Sequence, residues 1–467
     1  VTASATAPHL PIVRVGILGA GTVGSQVYRI LTERREHFAR IAGVDVVVTG
    51  VAVRDLGAPR DVAIDESLLT TDAMSVATSN DLVIELIGGL EPARSLILAA
   101  LGAGAHIVTG NKALLAVHGN DIFTAAFHAG RHVRFEAAIA GAIPVVRTIE
   151  QSLSGDVITS ITGILNGTTN YILDEMSTQG LSFDDVLLTA QELGYAEADP
   201  SADVDGYDAA AKIALLARLA FNTPVMLDQV PVRGIRGIND DLIADAQTCG
   251  YTVKLLATAQ VIERVDDCLS NSENEGSPEK VLGENCQCAC ALSLAVQPTV
   301  VGNDDRLAAI PGATNAVTVD CEAAGELTFI GAGAGGNPTA SAVMGDVTTL
   351  LKQMAAGVAI PLMQPLQQMD VLSADEQAST YCFFAHVSSD DDDVVSRLAE
   401  KTSDLPGTLV HIVSHVSMCH DATVVDIAID DLTVVQADAV LQELMDIDEL
   451  DSVTMCAARL CLEVTDE

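Results

Sequence analysis

Short apolar runs alternate with amphipathic stretches through the first 150 residues. Ile12 to Leu18 is apolar and is followed by a glycine turn and an amphipathic stretch reaching about Arg40. Asp45 to Val53 reads as a valine-rich strand, Leu82 to Ile87 as another that ends in Gly88-Gly89, and His106 to Thr109 and Val133 to Glu136 as two more. Strands that are apolar along their whole length are buried on both faces, so the helices between them predict a covered parallel sheet. From about Ile149 the pattern changes to a strand at Val157 to Leu165 and longer helical segments at Phe183 to Leu193 and Tyr207 to Leu219. A polar insertion from about Arg264 to Asn285 reads as a solvated loop. Gly331 to Gly336 leads into a helix from about Thr339, and Ala359 to Asp375, with two prolines, reads as a linker. Beyond it the order is strand Tyr381 to Val387, helix Val394 to Thr402, strands Leu409 to Ser417 and Ala422 to Ile429, helix Val434 to Met445 and strand Ser452 to Glu463. That βαββαβ order predicts a small ferredoxin-like unit.

Composition narrows the class. The chain has 467 residues, 49% of them apolar, enough for two to four packed domains. No run approaches the ~18 apolar residues of a membrane span. The start of the chain lacks the basic and apolar regions of a signal peptide, so a cytoplasmic protein with reduced thiols is expected. Lys+Arg total 24 against 64 Asp+Glu, a net charge of −40, which excludes a phosphate-backbone partner. The acids are spread along the whole length, which favours a salt-rich cytoplasm that screens their repulsion over a modestly acidic chain with local acidic loops. Of 10 cysteines, Cys286, Cys288 and Cys290 form a C-x-C-x-C run. On a strand this spacing puts all three on one face, where they pack as small hydrophobes; a metal set normally needs a second ligand pair.

Gly19-Ala20-Gly21-Thr22-Val23-Gly24 is a G-x-G-x-x-G between a predicted strand and helix. Gly19 permits the tight turn, Gly21 lets the backbone approach a pyrophosphate, and Gly24 allows close helix–strand packing. The N–H groups that begin the helix then face the phosphates, with Thr22 and Val23 in its first turn. This assigns residues 11–150 to a Rossmann-type doubly wound dinucleotide-binding domain. At the end of the second strand an acid suits the ribose of NAD and an arginine the 2′-phosphate of NADP. Arg54 comes first, with Arg60 nearby, favouring NADP; Asp55 keeps NAD open.

Three further strings complete the picture: Thr109-Gly110-Asn111-Lys112-Ala113-Leu114-Leu115-Ala116, then Gly163 to Leu173 with Asn166-Gly167-Thr168-Thr169-Asn170-Tyr171, and Gly194-Tyr195-Ala196-Glu197-Ala198-Asp199-Pro200 continuing through Asp203 and Asp208 to Lys212. With Phe135-Glu136-Ala137-Ala138 and Gly331-Ala332-Gly333-Ala334-Gly335, the chain closely resembles the homoserine dehydrogenase family from about Val13 to Leu350. Its last part resembles the ACT domain of long-form members. On residue chemistry, Asp208 and Lys212 are four apart on a predicted helix and so share a face. A carboxylate beside an ammonium can orient it for proton transfer, while an exposed pair of this spacing contributes only ~0.3–0.5 kcal/mol. The chain has just six lysines, Lys112, Lys212, Lys254, Lys280, Lys352 and Lys401, and two of them fall on motif positions.

The resemblance implies interconversion of L-homoserine and L-aspartate 4-semialdehyde with NAD(P), in threonine, methionine and isoleucine biosynthesis. It implies that Lys212 is the leading proton donor and that Lys112 contacts the reacting end and the cofactor. Glu197, Asp203 and Asp208 would hold the substrate amino group and the lysine, with Asn166 and Thr168 bordering the pocket. Gly194 and Gly333 would lie against the cofactor. Family members bind a monovalent cation, usually sodium, at the positions of Glu136, Ile139, Gly141 and Ile143, largely through backbone carbonyls. Domains are expected at 11–150, completed by 331–358, at 151–330 for an α+β substrate and dimerisation domain, and at 376–467 for the ACT-like unit, with a homodimer or homotetramer as the assembly. The dozen residues before the first strand predict a chain without a fused aspartate kinase.

The ACT-like unit departs from its pattern. Effector-binding members carry Asp-x-Pro-Gly after the first strand, whereas Val387 is followed here by Ser388-Ser389-Asp390-Asp391-Asp392-Asp393. Four adjacent acids repel an amino acid's carboxylate, so threonine sensing and dimerisation both stay open as roles. A sensor that keeps the dinucleotide fold without turnover is the second class of function; Lys112, Glu197, Asp208 and Lys212 together point to the enzyme.

Overall fold

The computed structural model describes residues 10–264, 289–357, 369–387, 396, 398–399, 402, 405–416, 423–447 and 450–460. It divides into two compact units, Val1–Gly155 with Arg218–Pro224 and Phe329–Gln367, and Asp156–Ala217 with Val225–Thr328 and Gln368–Glu467.

The first unit is built on six parallel strands: β1 (Ile12–Leu18), β2 (Asp45–Ala52), β3 (Leu69–Thr70), β4 (Leu82–Glu85), β5 (His106–Thr109) and β6 (Val133–Arg134), in the order β3-β2-β1-β4-β5-β6. Apolar runs become central strands because both faces are covered. On one face Val13, Val15 and Ile17 of β1 join Val27 and Leu31 of the helix Thr22–Glu33 and Val343, Val347 and Leu350 of the helix Gly336–Ala356 in one core. On the other face Gly16 and Gly50 are register partners, and a Cβ at either would press on Val76 of the helix Ala73–Thr78. The strand order reverses between β1 and β4, the switch point where doubly wound sheets bind ligands.

Most of a second, mixed sheet belongs to the second unit. Its strands are β7 (Ile158–Ile164), β8 (Tyr251–Arg264), β9 (Ala289–Gly302), β10 (Thr314–Cys321), β11 (Gly325–Ala332), β12 (Asp370–Val371), β13 (Ala378–Val387), β14 (Thr408–Val416), β15 (Thr423–Thr433) and β16 (Ser452–Arg459). They run β11-β10-β7-β8-β9-β16-β13-β15-β14, with β12 also on β9. The last four are mutually antiparallel in the ferredoxin-like arrangement. The hydrophobic pattern marks a boundary near residue 376, yet the sheet continues across it. Ala457–Arg459 of β16 pairs in parallel with Thr299–Val301 of β9, which satisfies an edge that β9 would otherwise expose.

Several elements differ from the expectation. The strand expected at Val133 to Glu136 stops at Arg134, because Glu136–Ala138 turns into a 3₁₀ helix. Gly331 and Ala332 finish β11, and the following helix starts at Gly336, not near Thr339. The long antiparallel pair β8–β9, and β10 and β11 on the far side of β7, carried no clear sequence signal. The 264–285 insertion apart from Arg264, most of the 359–375 linker, most of the 394–402 helix, the Asp390–Asp393 run, Cys286 and Cys288 lie outside the described residues. Among the described residues no helix is long and apolar enough to cross a membrane, Cys249, Cys321, Cys382 and Cys456 are free thiols, and Cys290, expected to pack as a small hydrophobe, is exposed.

Candidate active site

The glycine turn after β1 is enforced by contacts. Gly19 has φ +96°, and a Cβ there would stand 2.6 Å from the Leu86 carbonyl oxygen at the end of β4. A Cβ on Gly24 would lie 2.0 Å from the Gly19 oxygen, so the helix packs directly on the turn. Gly21 differs: a Cβ there would meet no heavy atom within 4 Å. Gly21 is the N-cap of the helix Thr22–Glu33, and no side chain caps it. Bare backbone facing open space at an uncapped helix start is what a pyrophosphate needs, and the N–H groups of Thr22 and Val23 belong to that first turn. The residues present therefore fit a dinucleotide.

Beside this turn a buried network joins the ends of β4 and β5. The Glu85 carboxylate accepts from the Ile87 N–H (2.8 Å), the Gly88 N–H (3.3 Å) and the Thr109 hydroxyl (2.6 Å). Thr109 Oγ1 accepts from the Asn111 N–H at 3.0 Å, and Asn111 caps the next helix by accepting from the Leu114 N–H at 3.1 Å. Lys112, half-buried, is the first residue of that helix, Lys112–Ala129, and so is placed at the ligand-binding edge. Glu85 was not singled out from sequence; its signal is an acid closing an otherwise apolar strand. Arg54 and Asp55 are both exposed after β2. Arg60 donates to the carbonyls of Asp55, Leu56 and Ala58 and is thereby committed to its own loop, whereas Arg54 makes no hydrogen bond or ion pair among the described residues.

In the second unit, Asn166, Asp203, Asp208 and Lys212 form one cluster. The Lys212 ammonium, buried, donates to Asp208 Oδ2 (2.7 Å) and to the Leu165 carbonyl oxygen (2.6 Å). Asn166 Nδ2 donates to Asp208 Oδ2 (2.9 Å) and to Asp203 Oδ1 (2.6 Å). The local reason is readable. Asn166, two residues past β7, caps the helix Gly167–Gln179 by accepting from the Thr169 N–H, which turns its amide toward the two acids. Gly206, at φ +88°, separates Asp203 from the helix Tyr207–Ala220 that carries Asp208 and Lys212. Asp208–Lys212 is thus a buried pair and not a surface one. Thr168 donates to the Tyr195 carbonyl at 2.7 Å, while Glu197 is exposed on the loop after Gly194, itself in left-handed conformation at φ +77°.

Sequence reasoning missed Asn315 and Lys254. Asn315, fully buried on β10, donates to the same Leu165 carbonyl as Lys212, at 3.1 Å. Lys254, fully buried on β8, donates to the Ile310 carbonyl at 2.7 Å, and its burial lowers its pKa from 10.5 to about 8. Asn170 also donates to Ile310 and Gly312, so the second motif string anchors the 310–314 turn beside β10.

The segment expected to hold a cation is a tight turn in the first unit. The Glu136 carboxylate is fully engaged, accepting from the N–H groups of Val146 (2.8 Å) and Arg147 (3.0 Å) and from the Arg147 guanidinium (2.9 Å). Burial raises the Glu136 pKa against these donors, which lower it. Gly141, at φ +57°, leaves no room for a Cβ, which would stand 2.4 Å from the Gly333 carbonyl. Of the four main-chain oxygens expected to serve a cation, that of Glu136 accepts from the Ile139 N–H (3.4 Å) and that of Ile143 from the Val145 N–H (2.9 Å) within the turn itself.

The family model described as "Homoserine dehydrogenase, NAD binding domain" matches residues 19–136, and the one described as "Homoserine dehydrogenase" matches 144–348. A homoserine dehydrogenase of Synechocystis is 42% identical over 404 residues, covering 86% of this chain and 85% of its own. One from Mycobacterium bovis is 38% identical over 456 residues, covering 97% and 98%. The crystal structure of a homoserine dehydrogenase from Thiobacillus denitrificans superposes with a TM-score of 0.79 at 31% identity, covering 96% of this chain and 99% of that one.

Proposed function

The chain belongs to the homoserine dehydrogenase family, and from that premise we propose that it interconverts L-homoserine and L-aspartate 4-semialdehyde with NAD(P), with Lys212 moving the proton. The pathway implied is threonine, methionine and isoleucine biosynthesis. When bound, the nicotinamide exchanges a hydride with the substrate carbon that bears the oxygen. Lys212 protonates the substrate oxygen during reduction and takes that proton back during oxidation. Asp208 and the Leu165 carbonyl hold its ammonium in one direction, and Asn166 holds Asp208. Asp203 and Glu197 receive the substrate's amino group, Asn166 and Thr168 border it, and Lys112 meets the reacting end. The observation that carries this reading is the buried Lys212–Asp208 pair locked by Asn166. An exposed helical pair would carry no such role.

The finer points have their own supports. NADP is favoured over NAD because Arg54 is uncommitted among the described residues while Arg60 is tied to its loop. Gly194 and Gly333 complete the cofactor contacts. Sodium is assigned to the main-chain oxygens at Glu136, Ile139, Gly141 and Ile143, on their hard-donor chemistry. We further propose functional divisions at 11–150 completed by 331–358, at 151–330 and at 376–467, although the last segment falls in the same compact unit as most of the second; an ACT-like regulatory role for it rests on the ferredoxin-like order of its strands. A cytoplasmic homodimer or homotetramer working in high salt fits the net charge of −40. The test is direct: purified protein with L-homoserine and NADP or NAD, from pH 7 to 10 and from dilute buffer to multimolar KCl. Turnover is expected with either cofactor, best at alkaline pH, where the lysine more readily accepts a proton. No turnover anywhere in that range would remove the enzymatic reading.

A further inference from the structure

Away from the lysine cluster, one face of the C-terminal sheet has an unusual composition. Period-2 alternation divides β13, β14, β15 and β16 into two faces. Tyr381, Phe383, Ala385, Ile427 and Ile429 pack with Val440 and Leu444 of the helix Val434–Met445 in an apolar core. The opposite face carries Cys382 and His386 on β13, Asp426 on β15, His411 and His415 on β14, and Thr454 and Cys456 on β16. The register puts Asp426 opposite Val413 and Phe384, with His411 and His415 two positions to either side of Val413. The helix Asp240–Thr248 brings Asp245 to this face, where it bonds His386 Nε2 (2.8 Å) and Thr454 Oγ1 (3.0 Å). Its C-cap is Cys249.

We propose that Cys249, His415 and Asp426 form a binding site for a zinc-class divalent ion. Their ligand atoms lie within 4.8 Å of one another. Bonds of about 2.0–2.3 Å in a tetrahedral site would set ligand atoms roughly 3.3–3.8 Å apart, so a small inward movement completes the geometry. Asp426 is 1% exposed, and its Oδ2 accepts from the Tyr251 hydroxyl (2.8 Å) and bonds His411 Nε2 (2.9 Å). Its Oδ1 is buried with no hydrogen-bond partner among the described residues. A carboxylate held rigidly by two groups on one oxygen, with only the weak Cys382 thiol as a further donor to it, is the arrangement of a metal ligand with its supporting shell.

The donor types agree. Sulfur, imidazole nitrogen and one carboxylate oxygen are a borderline set that suits zinc and not calcium or magnesium. Charge balances too: binding releases the Cys249 proton to solvent, so one thiolate and one carboxylate offset the two positive charges. Burial and the neighbouring Asp426 and Asp245 hold the Cys249 thiol protonated before then. Cys249 and His415 are half-buried, which leaves a route in. Three protein ligands leave a fourth position, and the ion would tie the end of helix 240–248 to β14 and β15.

The test uses the full chain, stripped with a chelator and titrated with Zn²⁺. One ion per chain retained through gel filtration is expected, with a rise in Tm. Co²⁺ in its place should give a thiolate charge-transfer band. Losing an outer-shell partner typically weakens metal binding about 10–100-fold, so Cys249→Ser and Asp426→Asn should each weaken Zn²⁺ by roughly a hundredfold or more and Cys249→Ser should abolish the band, while Cys321→Ser changes neither. Should the variants fold poorly, alkylation of the wild-type chain decides: Zn²⁺ must protect Cys249 from iodoacetamide. A combined Cys286→Ser, Cys288→Ser, Cys290→Ser variant must keep the ion. Unchanged alkylation of Cys249, or loss of the ion only in that triple variant, overturns the site.

Discussion

The glycine turn of Gly19–Gly24 and the lysine cluster around Lys212 are made from opposite parts of the polypeptide. The turn works by what is missing. Gly19 and Gly24 leave out atoms that would strike Leu86 and the turn itself, and Gly21 leaves out an atom that would face open space. Everything it needs lies within six consecutive residues. The lysine cluster works by side chains that arrive separately, from the end of β7, from the 201–204 turn, from helix 207–220 and from β10. A backbone site is robust to its surroundings and fragile to an added methyl; a side-chain site is the reverse. The two should therefore fail differently when mutated.

The largest expected effect is in the cluster. Lys212→Ala should lower kcat by ~10²–10⁴-fold while cofactor affinity holds, since the pyrophosphate turn is made of other residues. A loss below tenfold would transfer the role to Lys112 and end the contrast.

Lys254 asks whether burial alone makes a lysine functional. Its folded pKa of about 8 lies below the ordinary 10.5. Below pH 8 the ammonium is charged in both states, and the folded chain bears the full cost of burying it. Between about pH 8 and 10.5 the folded chain has released a proton that the unfolded chain keeps, so stability rises with pH. Relative to Lys254→Met, wild type should gain up to about 3 kcal/mol across that window in denaturant unfolding. A flat difference would show that the buried group is not depressed.

Arg54→Ala should weaken NADP by roughly tenfold to a hundredfold, the ~1.5–3 kcal/mol of a charge-assisted bond, and leave NAD nearly unchanged at one fixed ionic strength. Equal effects on both cofactors would return the ribose to Asp55.

The glycines give the smallest and sharpest contrast. Gly24→Ala should cost stability, roughly 1–3 kcal/mol of overpacking, because the nearest atom is backbone and cannot step aside. Gly21→Ala should leave Tm unchanged and raise the cofactor KM. Similar Tm losses in both would mean that Gly21 is no more open than Gly24.

How much was legible follows the same line. Ile12–Leu18, His106–Thr109 and Val434–Met445 match their expected bounds because short, mostly apolar runs and a well-marked helix pattern are local signals. Asp208 and Lys212 were legible as an i,i+4 pair, but their burial was not. Asn315 and Lys254 were invisible because no spacing marks a β10 asparagine or a β8 lysine as neighbours of the second motif. The long β8–β9 pair escaped for a related reason, since strand partners declare themselves through register and not through composition.

By itself the sequence determined the parallel sheet of the first unit, the dinucleotide turn and the likeness to homoserine dehydrogenases. Each of these rests on periodicity, on absent side chains or on ordered strings within a short span. Tertiary structure alone decided that Lys212 shares the Leu165 carbonyl with Asn315, that the C-terminal strands extend the β9 edge, and that Cys249 meets His415 and Asp426. Those contacts join residues separated by up to about 180 positions, and only packing of one sheet against its covering helices brings such residues within bonding distance.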